Sequence, residues 1–468
     1  MLLHYRSARG RLVLIASILG SGMAFLDGTA VNVVLPAIER DLHTGFAGLQ
    51  WILNGYLLAL GALVLPGGSL ADRFGRRRVF LIGVVWFAVA SGLCGLAPTI
   101  GFLIAGRILQ GIGAALLVPA SLALVQGVYQ PADRSEAIGA WSGWSGLTTL
   151  IGPLLGGWFA DAFSWRLVFL INPVLALLTL FMAWRFSPES QDARARRLDV
   201  MGAIAAVIGL GGVVFTLIEG PSLGWHAGAV ILAGAGGLFG AIAFLVIELR
   251  VTDPMLPLAF FRRIRFAGVT AGSVTIYFAL SGSMFLLTLQ LQQVLHYSAL
   301  KAGASLAPVT ILLLVLSPIA GRLATRIGPR LPMTAGPIVA ALGVAMMSRI
   351  VADATYVGSV LPAVLLFGLG LGFTVAPLTA TAMSALDDEH AGLASGVSNA
   401  VTRVAGLLAV SLLPLAAGLS AVAAGAGGQS FSRGFQRAML IGAVIMCTGA
   451  VIMFATIKGG LEKTKREQ

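Results

Sequence analysis

The chain has 468 residues, 57% of them hydrophobic and only 11% charged, and its mean hydropathy is +0.92. Soluble domains carry about 25% charge because their surfaces must be wetted, so this composition excludes a water-facing surface over most of the molecule. A net charge of +12 would suit nucleic acid as a partner, but the basic residues fall in short loops between apolar runs, which excludes that reading and points to membrane topology.

In chain order, windows of about nineteen residues pick out apolar runs at 12–35, 50–70, 79–97, 100–125, 137–160, 165–186, 199–219, 227–248, 266–289, 302–321, 332–351, 358–381, 392–416 and 436–457. Runs of about 19 to 25 residues suit membrane helices, whereas a membrane strand needs only about ten with alternation. The expected class is an all-α membrane protein of fourteen spans with both termini on one side. The first run is too long for the core of a secretion signal and leads into further spans, so it reads as the first helix. Cys94 and Cys447 lie inside apolar runs and read as small core-filling residues. Placing the N-terminus inside puts about 23 of the 31 basic residues in cytoplasmic segments, among them Arg73, Arg76, Arg77, Arg78, Arg194, Arg196, Arg197, Arg262, Arg263 and Arg265. The opposite orientation reverses that bias. Arginine supplies 27 of the 31 basic residues, a compositional hint of a GC-rich bacterial genome, so the expected membrane is the bacterial inner membrane.

An internal repeat organises the spans. GGSLADRFGRRRVFLIG at 67–83 has a degraded echo in AGRLATRIGPRLPMTAG at 320–336, and PADRSEAIGAWSGWSG at 131–146 in DDEHAGLASGVSNAVTRVAG at 387–406. Each pair falls after the second or the fourth helix of a six-helix set. The expected plan is two parallel-repeated six-helix halves, 1–188 and 265–468, with two extra helices between them in 189–264. The extra pair is expected to lie peripheral to the halves.

Two ionisable residues sit deep in spans, where each costs about 2.5–3.5 kcal/mol on insertion scales. Counting about 1.5 Å per residue from each helix midpoint puts Asp27 roughly 6 Å and Arg107 roughly 7 Å towards the outside. They share a depth, which suits either a structural salt bridge or a coupling site. Arg403, almost midway along the thirteenth span, needs a carboxylate or helix carbonyls as partner. Glu219, at the outer end of the seventh span, suits capping or snorkelling as well as function. Gly368, Gly370 and Gly372 lie inside a span and read as packing residues, not as a nucleotide loop.

The loop GSLADRFGRRR (68–78) resembles the signature between helices 2 and 3 of the major facilitator superfamily. LDGTAVNVVLPAI (26–38), RILQGIGAALLVPAS (107–121), GPLLGGW (152–158), IEGPSLGW (218–225) and SNAVTRVAG (398–406) are similar to motifs of its fourteen-span drug:proton antiporter branch. The resemblance implies the major facilitator fold and alternating access between the two halves. It makes Gly68, Asp72, Arg73, Gly75 and Arg76 a conformational latch, with Asp72 at the cytoplasmic start of helix 13, near Gly392, when that side is closed. It makes Gly152, Pro153, Gly156 and Gly157 the antiporter motif, positions without reactive side chains that permit close approach and a bend. Arg77 and Arg78 read as topology residues. Asp27, Arg107, Asn32, Glu219 and Arg403 are the candidate proton-coupling and substrate positions, and the expectation is that a cationic substrate competes with a proton for Asp27.

The chain has no G-x-x-x-x-G-K-[ST] loop, so ATP hydrolysis by this chain is not expected, and the energy is expected from an ion gradient or from the substrate's own gradient. His4, His43, His226, His296 and His390 show no metal-ligand spacing, and no nucleophile elbow is present. No cofactor, no metal and no enzymatic activity are expected. The expected partners are protons, a small amphipathic or cationic substrate and membrane lipids, with the chain acting as a monomer. The alternative within the class is export of a lipid or endogenous metabolite. An intramembrane enzyme lacks its nucleophile–base or metal cluster, and a passive channel has no need of two repeated halves with an asymmetric latch.

Overall fold

The computed structural model describes residues 2–191, 198–386, 391–419 and 428–457. Arg194, Arg196, Arg197, His390 and the basic tail from 458 onward lie outside the described residues. Fourteen long helices follow one another: α1 Ala8–Leu42, α2 Phe46–Phe74, α3 Arg76–Gly95, α4 Ile100–Val128, α5 Pro131–Ala162, α6 Leu167–Phe186, α7 Val200–Leu223, α8 Gly228–Arg250, α9 Ile264–Leu289, α10 Ala299–Ile327, α11 Arg330–Met347, α12 Leu361–Ser384, α13 Ala391–Ala416 and α14 Gly428–Thr456. Each of the fourteen apolar windows falls on one of them. Apart from an isolated backbone bridge between Leu3 and Tyr129, the described residues hold no β-structure.

Side-chain caps set several helix starts. Ser7, Thr99, Asp199 and Ser298 each accept a hydrogen bond from the N–H three residues on, a device worth about 1 kcal/mol. Thirteen of the helices are long and apolar enough to cross a bilayer. The fourteenth is α5, whose 32 residues include glycines, serines, threonines and tryptophans that dilute its hydropathy. Its packing explains the composition, because α5 lies against α1 on one side and α10 on the other.

The helices sort into two sets. In the first, α4 is gripped by α2 and α3, and α1 packs on α5 and α6; in the second, α12 packs on α10 and α11, and α14 on α9 and α11. Small residues permit the approach: a Cβ on Gly111 of α4 would sit 2.5 Å from the Tyr56 carbonyl oxygen, and one on Gly113 would sit 2.7 Å from the Phe87 nitrogen. The halves meet chiefly through α2 on α13 and α5 on α10. Outside these sets, α8 packs on α7 through Gly209, Gly212, Gly237 and Gly240. The pair is less detached than its position in the repeat suggests. Val214 and Ile218 of α7 pack with Leu407 of α13 and with Trp51, Leu57 and Leu58 of α2, so α7 covers the α2–α13 seam and touches both halves.

Because the helices alternate in direction, the start of α1 and the Arg76–Arg78 loop share one end of the bundle, called here the basic face. Gly75, between α2 and α3, has φ +107°, a backbone region that disfavours residues with a Cβ.

Candidate functional site

Asp27 and Arg107, placed at one depth by their sequence positions, are in contact and both fully buried. Arg107 Nη1 donates to Asp27 Oδ2 at 2.5 Å. A closed polar cluster surrounds them inside the first half. Arg107 Nε donates to the Ile52 carbonyl at 3.0 Å and Nη1 to Gln110 Oε1 at 2.7 Å. Gln110 Nε2 donates to Asp27 Oδ1 at 2.8 Å and to Ser91 Oγ at 3.2 Å. Asn172 Nδ2 donates to Ser91 Oγ at 2.9 Å, and the Arg107 guanidinium lies 4.4 Å from the Tyr56 ring centroid. Gln110, Ser91, Asn172 and Tyr56 were not singled out by sequence reasoning. Gln110 stands three residues after Arg107 on the same helix face, and Asn172 is a polar residue within an apolar span; both were findable signals. Removing one member of a buried ion pair costs about 3–5 kcal/mol, so this cluster is held in place by mutual need.

Asn32 is not part of the cluster. Its amide donates to the Gly28 carbonyl at 3.1 Å, and it shares an α1 face with Phe25 and Gly28, all three half-buried. A Cβ on Gly28 would meet nothing within 4 Å, so this face borders open space. Arg403 stands across from it, half-buried, its guanidinium 5.7 Å from the Phe25 ring centroid. Its partner is neither a carboxylate nor a helix carbonyl: Nε points to Asn399 Oδ1 at 3.4 Å. Glu219 is separate again, accepting from Trp51 Nε1 at 2.7 Å and Ser222 Oγ at 2.9 Å. It ties α7 to α2.

The antiporter-motif residues lie along two contacts. Cβ atoms on Gly152 and Gly156 would collide with α1 at Leu26 and Ala30, while one on Gly157 would sit 2.5 Å from Leu300 Cα of α10. Pro153 packs against Gly303. One turn on, the Asp161 carboxylate accepts the N–H of Ala299 at 3.0 Å and of Leu300 at 2.8 Å, capping α10 from the other half. Gln293 donates to Glu39 at 2.8 Å, Gln292 to the Val33 carbonyl at 2.8 Å and Gln50 to the Val410 carbonyl at 2.6 Å. The face opposite the basic one is sealed.

The same α5 stripe runs back through Gly146, Gly143 and Gly139. Gly146 still faces Leu314, at 3.4 Å from a Cβ, but Gly143 and Gly139 have nothing within 4 Å. The two helices splay apart, and the cleft between the halves opens to the basic face.

There, Asp72 pairs with Arg76 at 2.8 Å and Arg73 lies over Phe74. Residues 387–390, just before α13, lie outside the described residues, and the expected contact of Asp72 with the start of α13 belongs to a closed state of this face. Gly68 faces Pro119. Glu189, missed by sequence reasoning, accepts the N–H of Arg77 at 3.0 Å and of Arg78 at 3.2 Å, capping α3. Among the described residues no His, Cys, Asp and Glu group could hold a metal ion.

A family model described as Major Facilitator Superfamily matches residues 17–200 and 193–410. The multidrug resistance protein Stp of Mycobacterium tuberculosis is 37% identical over 88% of this chain and 76% of its own length. The tetracenomycin C resistance and export protein of Streptomyces glaucescens is 35% identical over 86% and 74%, and a puromycin resistance protein of Streptomyces alboniger 36% over 84% and 78%. Among solved structures, a POT family transporter in complex with 5-aminolevulinic acid superposes with a TM-score of 0.72 at 14% identity, covering 97% of this chain and 98% of that one. A bacterial homologue of the lysosomal transporter Spinster gives 0.64 at 17% identity, covering 96% and 97%. These two likenesses concern the fold.

Proposed function

For this chain, which belongs to the major facilitator superfamily and is a transporter related to drug-efflux proteins, we propose proton-coupled antiport of small amphipathic compounds across the bacterial inner membrane. The basic face lies in the cytoplasm, where positive loops are retained. The cleft open to that face takes up substrate, and rocking of the halves closes the Asp72 loop against α13 while the Asp161 seal parts.

The Asp27–Arg107 pair is the single observation that supports proton coupling. A carboxylate with no exposure, placed inside apolar helices, has two ways to be stable: paired with a cation, or protonated. Arg107 and a proton are therefore alternative partners of Asp27. The carboxylate is buried within the first half, on the side of α1 away from the Phe25–Asn32 face. A substrate in the cleft does not reach it, so exchange runs through conformational change rather than through direct competition for one carboxylate.

Transport in reconstituted vesicles tests this. Asp27→Asn is expected to abolish uphill movement driven by a proton gradient while downhill exchange persists. Uphill pumping with wild-type pH dependence in that variant places the coupling carboxylate elsewhere, with Glu219 as the next candidate.

A further inference from the structure

A guanidinium halfway along a membrane helix is costly unless it finds a partner or water. Arg403 stands at the midpoint of α13, and the first half has already neutralised its own buried charges. Among the described residues the ion pairs are His4–Asp133, Arg76–Asp72, Arg107–Asp27 and Arg166–Asp41; none involves Arg403. Its Nε alone donates, to Asn399 at 3.4 Å, and no hydrogen bond to a described residue engages its two terminal amino groups. Phe25 lies 5.7 Å from the guanidinium. Beside Phe25, the α1 surface at Gly28 borders open space.

The middle of the cleft thus holds a half-buried cation beside an aromatic ring, with the deep carboxylate Asp27 committed to Arg107. A cationic substrate would meet repulsion there. A planar guanidinium fork matches a carboxylate or sulfonate, and the Phe25 ring supplies a face for a flat scaffold. We propose that the substrate class is aromatic acids, anchored by their anionic group on Arg403, with Phe25 packing against the substrate ring. This rests on the efflux reading and revises the cation expected from sequence. It also suits the energetics: an anion leaving and a proton entering both move charge in the direction an inside-negative membrane potential favours.

The test is binding to the full chain in nanodiscs, read by fluorescence anisotropy with fluorescein as the anionic aromatic probe and ethidium as the cationic one. Wild type is expected to bind fluorescein at least tenfold tighter than ethidium. Arg403→Gln is expected to lose that tenfold for fluorescein with ethidium unchanged or tightened, and Arg403→Lys to recover part of the loss. A wild type that prefers ethidium or binds neither probe overturns the proposal. So does an Arg403→Gln chain that keeps its fluorescein affinity, or one that loses both probes equally, which assigns Arg403 to structure. If Arg403→Gln fails to fold, the wild-type preference and the Arg403→Lys chain still decide. Efflux is read separately in everted vesicles: anionic preference without transport sinks the efflux reading and leaves the binding assignment standing.

Discussion

Asp161 is one of the residues through which the first half holds the second shut on the face away from the basic one. Its carboxylate takes two N–H groups of α10's first turn, at 3.0 and 2.8 Å, where the helix dipole adds to the attraction. A side-chain cap of this kind is worth about 0.5–2 kcal/mol, and the carboxylate is solvent-exposed, so about 1–2 kcal/mol is the working figure for Asp161→Ala. The contact exists only when the face is sealed, so the whole loss falls on one conformer. That shifts the population towards the opposite-face-open form by roughly 5–30-fold. Asp161→Asn, which keeps one acceptor oxygen, is expected to shift it less. Paired spin labels at Phe163 and Lys301, in a background where exposed Cys447 is replaced by serine, read the separation of α5 and α10 directly. A distance distribution for Asp161→Ala that overlays the wild type would mean that packing at Gly157 and Gly303, together with the Gln50, Gln292 and Gln293 bonds, holds the seal, and would refute the role of Asp161.

The neighbouring positions carry expectations of their own. Gly157→Val drives side-chain atoms into Leu300, so the sealed state is expected to become inaccessible; thiol labelling of a cysteine on the sealed face should rise towards completion, and unchanged labelling counts against the close-packing role. Glu189→Ala leaves two N–H groups at the start of α3 uncapped, an exposed site expected to cost about 0.5–1 kcal/mol. A lowered melting temperature in detergent checks it, and an unaltered one means water caps the helix equally well.

Fold was more legible than site, for a physical reason. A span needs a predominantly apolar run of about twenty residues, so every helix announces itself, including α5, whose glycines, serines and threonines dilute its hydropathy. Asp27 and Arg107 were legible because charge at that depth is costly and the count of residues fixes depth. What partners they would have was not, since Ser91, Asn172 and Tyr56 come from three other helices whose rotation no periodicity reveals. Asn32 and Asp27 illustrate the same limit. They are five residues apart on one helix and point to different compartments, because a rotation of about 100° per residue separates neighbours that a motif groups together. Asp161 lay just past the antiporter motif and was passed over, because its partners are backbone N–H groups of the other half.

That division of α1 bears on coupling. One side carries Asp27 in its ion pair; another carries Phe25 beside Arg403; the far end carries Val33 and Glu39, bound by Gln292 and Gln293. Tyr56 joins the first two, its ring against Arg107 and its hydroxyl donating to the Ala24 carbonyl at 3.3 Å. Under the proposed coupling, protonation of Asp27 would free Arg107, and the contacts to feel it first would be Tyr56 and the α1 backbone beside Phe25. On that reading, α1 would link the proton site, the cleft and the seal, and a small rotation of it would change all three. Spatial contiguity alone does not establish such a route, so a double-mutant cycle is the measurement. With substrate affinity as the readout, Asp27→Asn and Phe25→Leu are expected to be non-additive by at least about 0.5 kcal/mol, although the two side chains point to different sides of the helix. Additive effects would mean that the proton reaches the substrate by another path, and α1 would be left as a wall of the cleft rather than the element that couples it.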